Sequence, residues 1–295
     1  MKKFVAALAI VGMALTAPAP GAAETVVLHH VHGLAFSADG AAIYVPSHDG
    51  LAVYRDGKWS KAPGPLHDYM GFGTTRRHFY TSGHPARGSG LTNPFGLMKS
   101  ADGGKTWQRL GMEGEADFHL LATGFDTDAV FVYNAAPNSR MPAPGYYHTT
   151  NDGLAWARAA ATGLRGEPAA IAAHPREPDT VAVATGAGAF LSRDAGGRFA
   201  PVTEGQSLSV FFDLDGAHLW VGGYAGRATL TRIALAGGQA EAIALPAMSQ
   251  DAVAYIAQNP IRPSELAFAT FKRDVYLSGD GGRTWRPIAQ QGVAR

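Results

Sequence analysis

Ser100-Ala101-Asp102-Gly103-Gly104-Lys105-Thr106-Trp107 recurs as Ser278-Gly279-Asp280-Gly281-Gly282-Arg283-Thr284-Trp285. Weaker copies stand at Thr150-Asn151-Asp152-Gly153-Leu154-Ala155-Trp156 and at Ser192-Arg193-Asp194-Ala195-Gly196-Gly197-Arg198-Phe199. Each copy has the chemistry of a tight β-turn. Asp-Gly or Gly-Gly supplies the positive φ that a hairpin needs. The Ser or Thr hydroxyl and the Asp carboxylate can bond the backbone of the turn, and the aromatic residue packs under the hairpin. Self-similarity at a regular interval is the mark of a repeat architecture.

A second repeat precedes each turn. Short apolar strands begin at His32-Gly33-Leu34-Ala35-Phe36-Ser37, Met70-Gly71-Phe72-Gly73-Thr74-Thr75 and His119-Leu120-Leu121-Ala122-Thr123. They continue at Ala170-Ile171-Ala172-Ala173-His174-Pro175, Val210-Phe211-Phe212-Asp213 and Tyr255-Ile256-Ala257-Gln258-Asn259-Pro260. Their small and apolar residues suit the crowded innermost strand of a propeller blade. Second strands follow at 42–45, 78–82, 129–133, 181–184, 219–221 and 266–269. The spacing gives six units of about 35 to 50 residues, the size of a four-stranded blade. They run 29–63, 64–113, 114–163, 164–204, 205–247 and 248–291. The expected fold is therefore all-β, a six-bladed β-propeller, with seven blades as the alternative count. The repeated turns gather on one face, and residues 25–28 are expected to pair with the final blade and close the ring. No linker interrupts 24–295, which reads as a single domain.

Bulk composition narrows the function classes. The hydrophobic share is 46% and the charged share 17%, as in a globular chain. A formal net charge of +1 argues against a general nucleic-acid or membrane-surface binder. Cysteine is absent, so no disulfide forms. Lys2-Lys3, an apolar stretch to Ala17 and the small residues Gly21-Ala22-Ala23 read as a signal peptide over 1–23. The expectation is a periplasmic or secreted protein with no membrane span after signal cleavage.

Propeller topology sorts the remaining residues by face. Seven of the eleven histidines fall by position 84. His29, His30 and His32 precede the inner strand of blade one; His67, Asp68 and Met70 open that of blade two; Asp117 and His119 open that of blade three. His48-Asp49 and His84 end the second strands of blades one and two. Two insertions rich in Gly, Pro, Ser and Asn, 85–95 and 135–144, are expected to wall a pocket on the same face. Imidazole with thioether suits copper, and imidazole with carboxylate suits zinc. The metal candidates are His30, His32, His48, Met70, His84 and His119, with Asp68 and Asp117 as carboxylates that orient them. His30 and His32 sit two apart, so on an extended strand they face the same way. An enzyme reading instead makes Asp68 and Asp117 catalytic, provided their carboxyls lie roughly 5 to 9 Å apart. A third reading is a scaffold for a protein partner. His78, His148, His174 and His218 read as surface or turn residues.

The turn repeats resemble those of the Asp-box (BNR) propellers, the superfamily that includes the sialidases. The strings His30-Val31-His32-Gly33-Leu34, Ser47-His48-Asp49-Gly50-Leu51 and His67-Asp68-Tyr69-Met70-Gly71-Phe72 narrow the likeness further. So do Ser82-Gly83-His84-Pro85, Asn93-Pro94-Phe95-Gly96-Leu97 and Asp117-Phe118-His119-Leu120. Together they look like exported bacterial proteins labelled glycosylhydrolase-like, which implies a hydrolase on fold grounds alone. The sialidase pattern of an Arg-Ile-Pro motif with three clamping arginines is missing. The nearest string is Ile261-Arg262-Pro263, in a turn on the other face, and Arg87, Arg140 and Arg165 match no motif of the family. Sialidase activity is not expected.

Overall fold

The computed structural model describes residues 26–295, so the expected signal peptide lies outside the described residues. All regular elements among the described residues are β-strands, arranged in six antiparallel sheets with sequential strand order. Five sheets have four strands and the sixth has five. The six innermost strands are Ala35–Phe36, Asp68–Thr74, Leu121–Thr123, Pro168–Ala173, Ser207–Phe212 and Val253–Gln258. The fold is a six-bladed β-propeller; among the described residues there is no sheet for a seventh blade.

The core lies between blades. Tyr44, Leu51 and Val53 of blade one pack on Tyr69, Phe72 and Phe79 of blade two. Equivalent clusters fill the remaining gaps, and the last joins Val45 and Tyr54 to Ala267 and Ile288 across the ring seam. Trp59 Nε1 donates to the Ile288 carbonyl at 2.7 Å over the same seam. Residues 26–28 close the ring as expected: Val27 bridges Val293, and Leu28 N–H donates to the Gly292 carbonyl at 2.6 Å.

The quoted turns are fixed by their own side chains. Ser100 Oγ donates to Asp102 Oδ1 at 2.8 Å and accepts Gly104 N–H at 2.9 Å. Asp102 also accepts Thr106 N–H at 3.0 Å and the Thr106 hydroxyl at 2.6 Å. Those bonds favour the carboxylate and hold Asp102 at a pKa of about 2. Ser278, Asp280, Gly282 and Thr284 repeat the pattern. Asn151 takes the Asp position in blade three and accepts Ala155 N–H at 3.0 Å.

On this same face a further repeat appears, one residue past five of the six inner strands, with Gly124 there in blade three. Ser37, Thr75, His174, Asp213 and Asn259 occupy that position and are all buried. Thr75 Oγ1 accepts the His78 N–H, His174 Nδ1 those of Arg176 and Glu177, and Asn259 Oδ1 those of Ile261 and Arg262. His174, expected as a surface or turn residue, is a turn cap, and it is buried. Asp213 instead accepts Trp220 Nε1 and both Nε and Nη2 of Arg232. With His218 beside it at 3.4 Å, its acceptor sites are filled by the protein.

On the opposite rim four inner strands carry a β-bulge near their start, at Met70, Ala169, Leu208 and Ala254. In blade two the strand pairing resumes beyond the bulge as Tyr69 with Gly83 and Asp68 with His84. A Cβ on Gly83, at φ +145°, would meet the Asp68 carbonyl at 2.1 Å, so only glycine fits there.

Candidate metal centre on the rim of blades one to three

His30 and His32 precede the inner strand of blade one, and His48 sits in the turn after its second strand (Ala42–Ser47). His32 N–H donates to the Pro46 carbonyl at 3.1 Å, which tethers the entering chain to that strand. The three imidazoles converge, each offering a ring nitrogen within 4.8 Å of the others. Ring centroids are 4.4 Å apart for His30 and His48, 4.8 Å for His32 and His48, and 5.6 Å for His30 and His32.

Asp68, the first residue of the blade-two inner strand, stands beside this triad. Its Oδ2 lies 2.7 Å from His48 Nδ1, and its Oδ1 lies 4.0 Å from His32 Nε2. His48 and Asp68 are thus in close imidazole–carboxylate contact. His32 Nε2 and Asp68 Oδ1 are both buried with no hydrogen-bond partner. Burial, reinforced by the His48 imidazole, lowers the His32 pKa to about 4 from an ordinary 6.5. At neutral pH this ring is an uncharged base with a free lone pair.

A second cluster adjoins the first. His84 ends the second strand of blade two, and Asp117 and His119 lead into the inner strand of blade three. Their ligand atoms also fall within 4.8 Å of one another. Asp117 Oδ2 is 3.1 Å from His84 Nε2 and 2.7 Å from His119 Nε2. The hydrogen bond to Asp117 raises the His119 pKa despite partial burial. The six expected metal residues thus divide: His30 and His32 gather with His48, whereas His84 and His119 gather around Asp117. Met70 occupies the bulge beside Asp68 and is half-buried. Asp68 and Asp117, read from sequence as a catalytic pair, each stand beside two imidazoles.

The flanking insertions are pinned rather than draped. His67 is buried, and its Nδ1 accepts Ala86 N–H at 2.9 Å. Phe95 N–H donates to the Gly83 carbonyl at 3.0 Å. Between those anchors Asn93 Oδ1 lies 2.7 Å from His84 Nδ1, a site contact that spacing alone did not signal. In 135–144, Asn138 Oδ1 accepts the Arg140 and Met141 N–H groups, and Met141 is fully buried. That loop is folded on itself as part of the packing around blade three. Arg140 donates to the Gly153 carbonyl and Arg165 lies over the Phe190 ring, so these arginines form no clamp.

His32 and His119 also stand at the mouth of an axial cavity of about 200 Å³. Its wall comes from the inner strands of all six blades and includes Phe72, Phe211 and Tyr255. Burial raises the Tyr255 pKa to about 12, so the hydroxyl stays protonated.

No family model and no curated protein matches the sequence. Solved structures do match, and they place the chain among the β-propellers. A GH74 enzyme of Niastella koreensis superposes with a TM-score of 0.62 at 15% identity, covering 91% of this chain and 46% of that one. This chain therefore spans about half the length of that enzyme. The β-propeller domain of Cps50 (Swd1) from Myceliophteria thermophila gives 0.56 at 11% identity, over 89% of this chain and 87% of that one. Kuenenia stuttgartiensis hydrazine synthase gives 0.56 at 13%, over 88% and 80%. At such identities the likeness establishes the propeller and leaves the chemistry to the site.

Proposed function

We propose that this chain is an exported Asp-box propeller that binds a transition-metal ion, zinc or copper, through His30, His32 and His48. The observation that carries the reading is the convergence of three imidazoles around the buried, unpartnered His32 Nε2. Three imidazoles with an open fourth position suit zinc, and imidazole also suits copper. Asp68 acts as the carboxylate that fixes the tautomer and orientation of a ligating histidine. The Asp-box assignment is supported by the shared hydrogen bonding of the turns closed by Ser100 and Ser278. Export is supported by the amino-terminal Lys2-Lys3 and apolar stretch, and amino-terminal sequencing of the mature protein checks it.

Elemental analysis of protein purified from its native compartment tests the metal reading. The expected result is bound zinc or copper in wild type, with the His30/His32/His48 ion missing from His32→Ala and His48→Ala. Unchanged stoichiometry in both variants overturns it. Likeness to a GH74 enzyme leaves glycoside hydrolysis through Asp68 and Asp117 as the second reading. The engagement of each carboxylate by imidazoles supports the metal reading over it. A glycan screen with Asp68→Asn and Asp117→Asn controls separates the two.

A further inference from the structure

We infer that His84, Asp117 and His119 hold a second divalent metal ion, so that the rim carries a two-ion centre. The inference rests on the metal reading above and extends it to residues outside the first triad. The cluster presents three ligand atoms within reach of one cation. His84 Nδ1 lies 2.7 Å from Asn93 Oδ1, an acceptor, so Nδ1 carries the proton. In neutral His84, Nε2 then presents its lone pair to Asp117 Oδ2 only 3.1 Å away. Two facing lone pairs repel unless positive charge lies between them. His119 Nε2 approaches the same oxygen at 2.7 Å, so two imidazoles and a carboxylate converge on one point.

Those separations are close to ligand spacing. Metal–ligand distances of about 2.0 to 2.1 Å in a tetrahedron put neighbouring ligand atoms about 3.3 Å apart. To reach that spacing Asp117 Oδ2 opens about 0.2 Å from His84 Nε2 and about 0.6 Å from His119 Nε2. Asn93 holds the His84 ring from its far nitrogen. Asp117 Oδ1 is buried with no partner, as is Asp68 Oδ1 beside the first triad.

The two clusters form one centre because the strand pairing joins them. Asp68 and His84 are direct partners across the antiparallel ladder. Directly opposed residues place their Cβ atoms roughly 4.5 to 5.5 Å apart on one face of the sheet. Asp68 belongs to the first cluster and His84 to the second. The mouth of the same axial cavity is lined by His32 of one and His119 of the other. The donor sets differ: three imidazoles in the first, two imidazoles and a carboxylate in the second. The second set suits zinc or iron(II) better than the softer copper(I).

Zinc titration of the chelator-stripped mature protein, followed by native mass spectrometry and calorimetry, tests the inference. Wild type is expected to bind two equivalents. His119→Ala and Asp117→Asn are each expected to bind one with unchanged affinity, and His48→Ala also one. Asn93→Ala should keep two equivalents but weaken one about 10- to 100-fold. The His119 side chain is 59% exposed, so its removal leaves the fold intact, and circular dichroism checks this. One equivalent in wild type that survives His119→Ala and Asp117→Asn means an imidazolium–carboxylate pair only; the second site then fails while the first stands. One equivalent lost in both His48→Ala and His119→Ala means a single shared site, and the two-ion inference fails. One equivalent lost only in His119→Ala and Asp117→Asn upholds this cluster and overturns the first triad. No zinc bound by wild type overturns both.

Discussion

Asp68→Asn isolates the orienting carboxylate without emptying its space. In wild type His48 Nδ1 lies 2.7 Å from Asp68 Oδ2, while Oδ1 has no hydrogen-bond partner and lies 4.0 Å from His32 Nε2. The amide keeps an oxygen beside His48 but removes the negative charge that strengthens its basicity. It also turns an NH2 group toward the His32 lone pair, where it competes with the ion. Loss of such an orienting partner weakens metal binding about 10- to 100-fold, or about 1.4 to 2.7 kcal/mol. Free zinc at about 100 times the wild-type Kd stabilises the fold by about 2.7 kcal/mol. A 100-fold weaker variant at the same concentration keeps only about 0.4 kcal/mol. For a chain near this size each kcal/mol moves Tm by about 2 to 4 °C. The zinc-induced rise therefore shrinks from roughly 5–10 °C to roughly 3–6 °C for a 10-fold loss and roughly 1–2 °C for a 100-fold loss. Thermal melts with and without zinc read this directly. Placing both proteins in an Asp117→Asn background removes any second ion from the comparison. Metal-free melting should be almost unmoved, because the new amide gains a partner where Oδ1 had none. Equal zinc-induced shifts in the two proteins would refute the role given to Asp68.

Acidification of the metal-free protein should cost stability between pH 6.5 and about 4, because the unfolded chain protonates its His32 equivalent before the folded one does. His119 acts with the opposite sign: its pKa is raised in the fold, so its contribution is present at low pH and fades as pH rises through that raised value. Urea unfolding of His32→Phe across this range should show a shallower acid slope than wild type, and equal slopes refute the assignment. Asp213→Ala should destabilise by about 3 to 5 kcal/mol by leaving Arg232 and Trp220 Nε1 without their acceptor. Its zinc stoichiometry should be unchanged, and a urea midpoint close to wild type would count against a structural role. Ser100→Ala removes the acceptor of the buried Gly104 N–H and should cost about 1 to 3 kcal/mol by the same assay.

The turns were readable in the chain because all their bonds are local: Ser100, Asp102, Gly104 and Thr106 meet within a few residues. The ring closure at Val27 was readable for a related reason, since the fold would otherwise leave an unpaired edge. Side-chain alliances across blades are not local and left little trace. Nothing in spacing tells that His48 joins His30 and His32 while His84 joins Asp117. That division depends on which strand faces which at the rim. Asn93 reaches His84 only because 85–95 is pinned by His67 at one end and Phe95 at the other. The turn at His174 was readable, but its burial was not, because a histidine before proline also suits a surface turn. The aligned position in four other blades held the missing signal: Ser37, Thr75, Asp213 and Asn259 are all polar there, with Gly124 in blade three.

The bulges show how one scaffold can carry a site on only part of its rim. Blades two, four, five and six share the same irregularity near the start of the inner strand. A bulge bends the strand and re-aims the residues beyond it. In blade two those residues are Asp68 and, across the ladder, His84, with Gly83 admitting the Asp68 carbonyl at a distance no side chain would allow. In the later blades Glu167, Gln206 and Ala252 lie just before the corresponding strands, and no imidazole accompanies them. The backbone device is therefore a property of the propeller, independent of any ligand. The chemistry comes from the side chains that blades one to three place on that rim. For this reason likeness to other propellers settles the fold, while the two histidine clusters must be tested residue by residue.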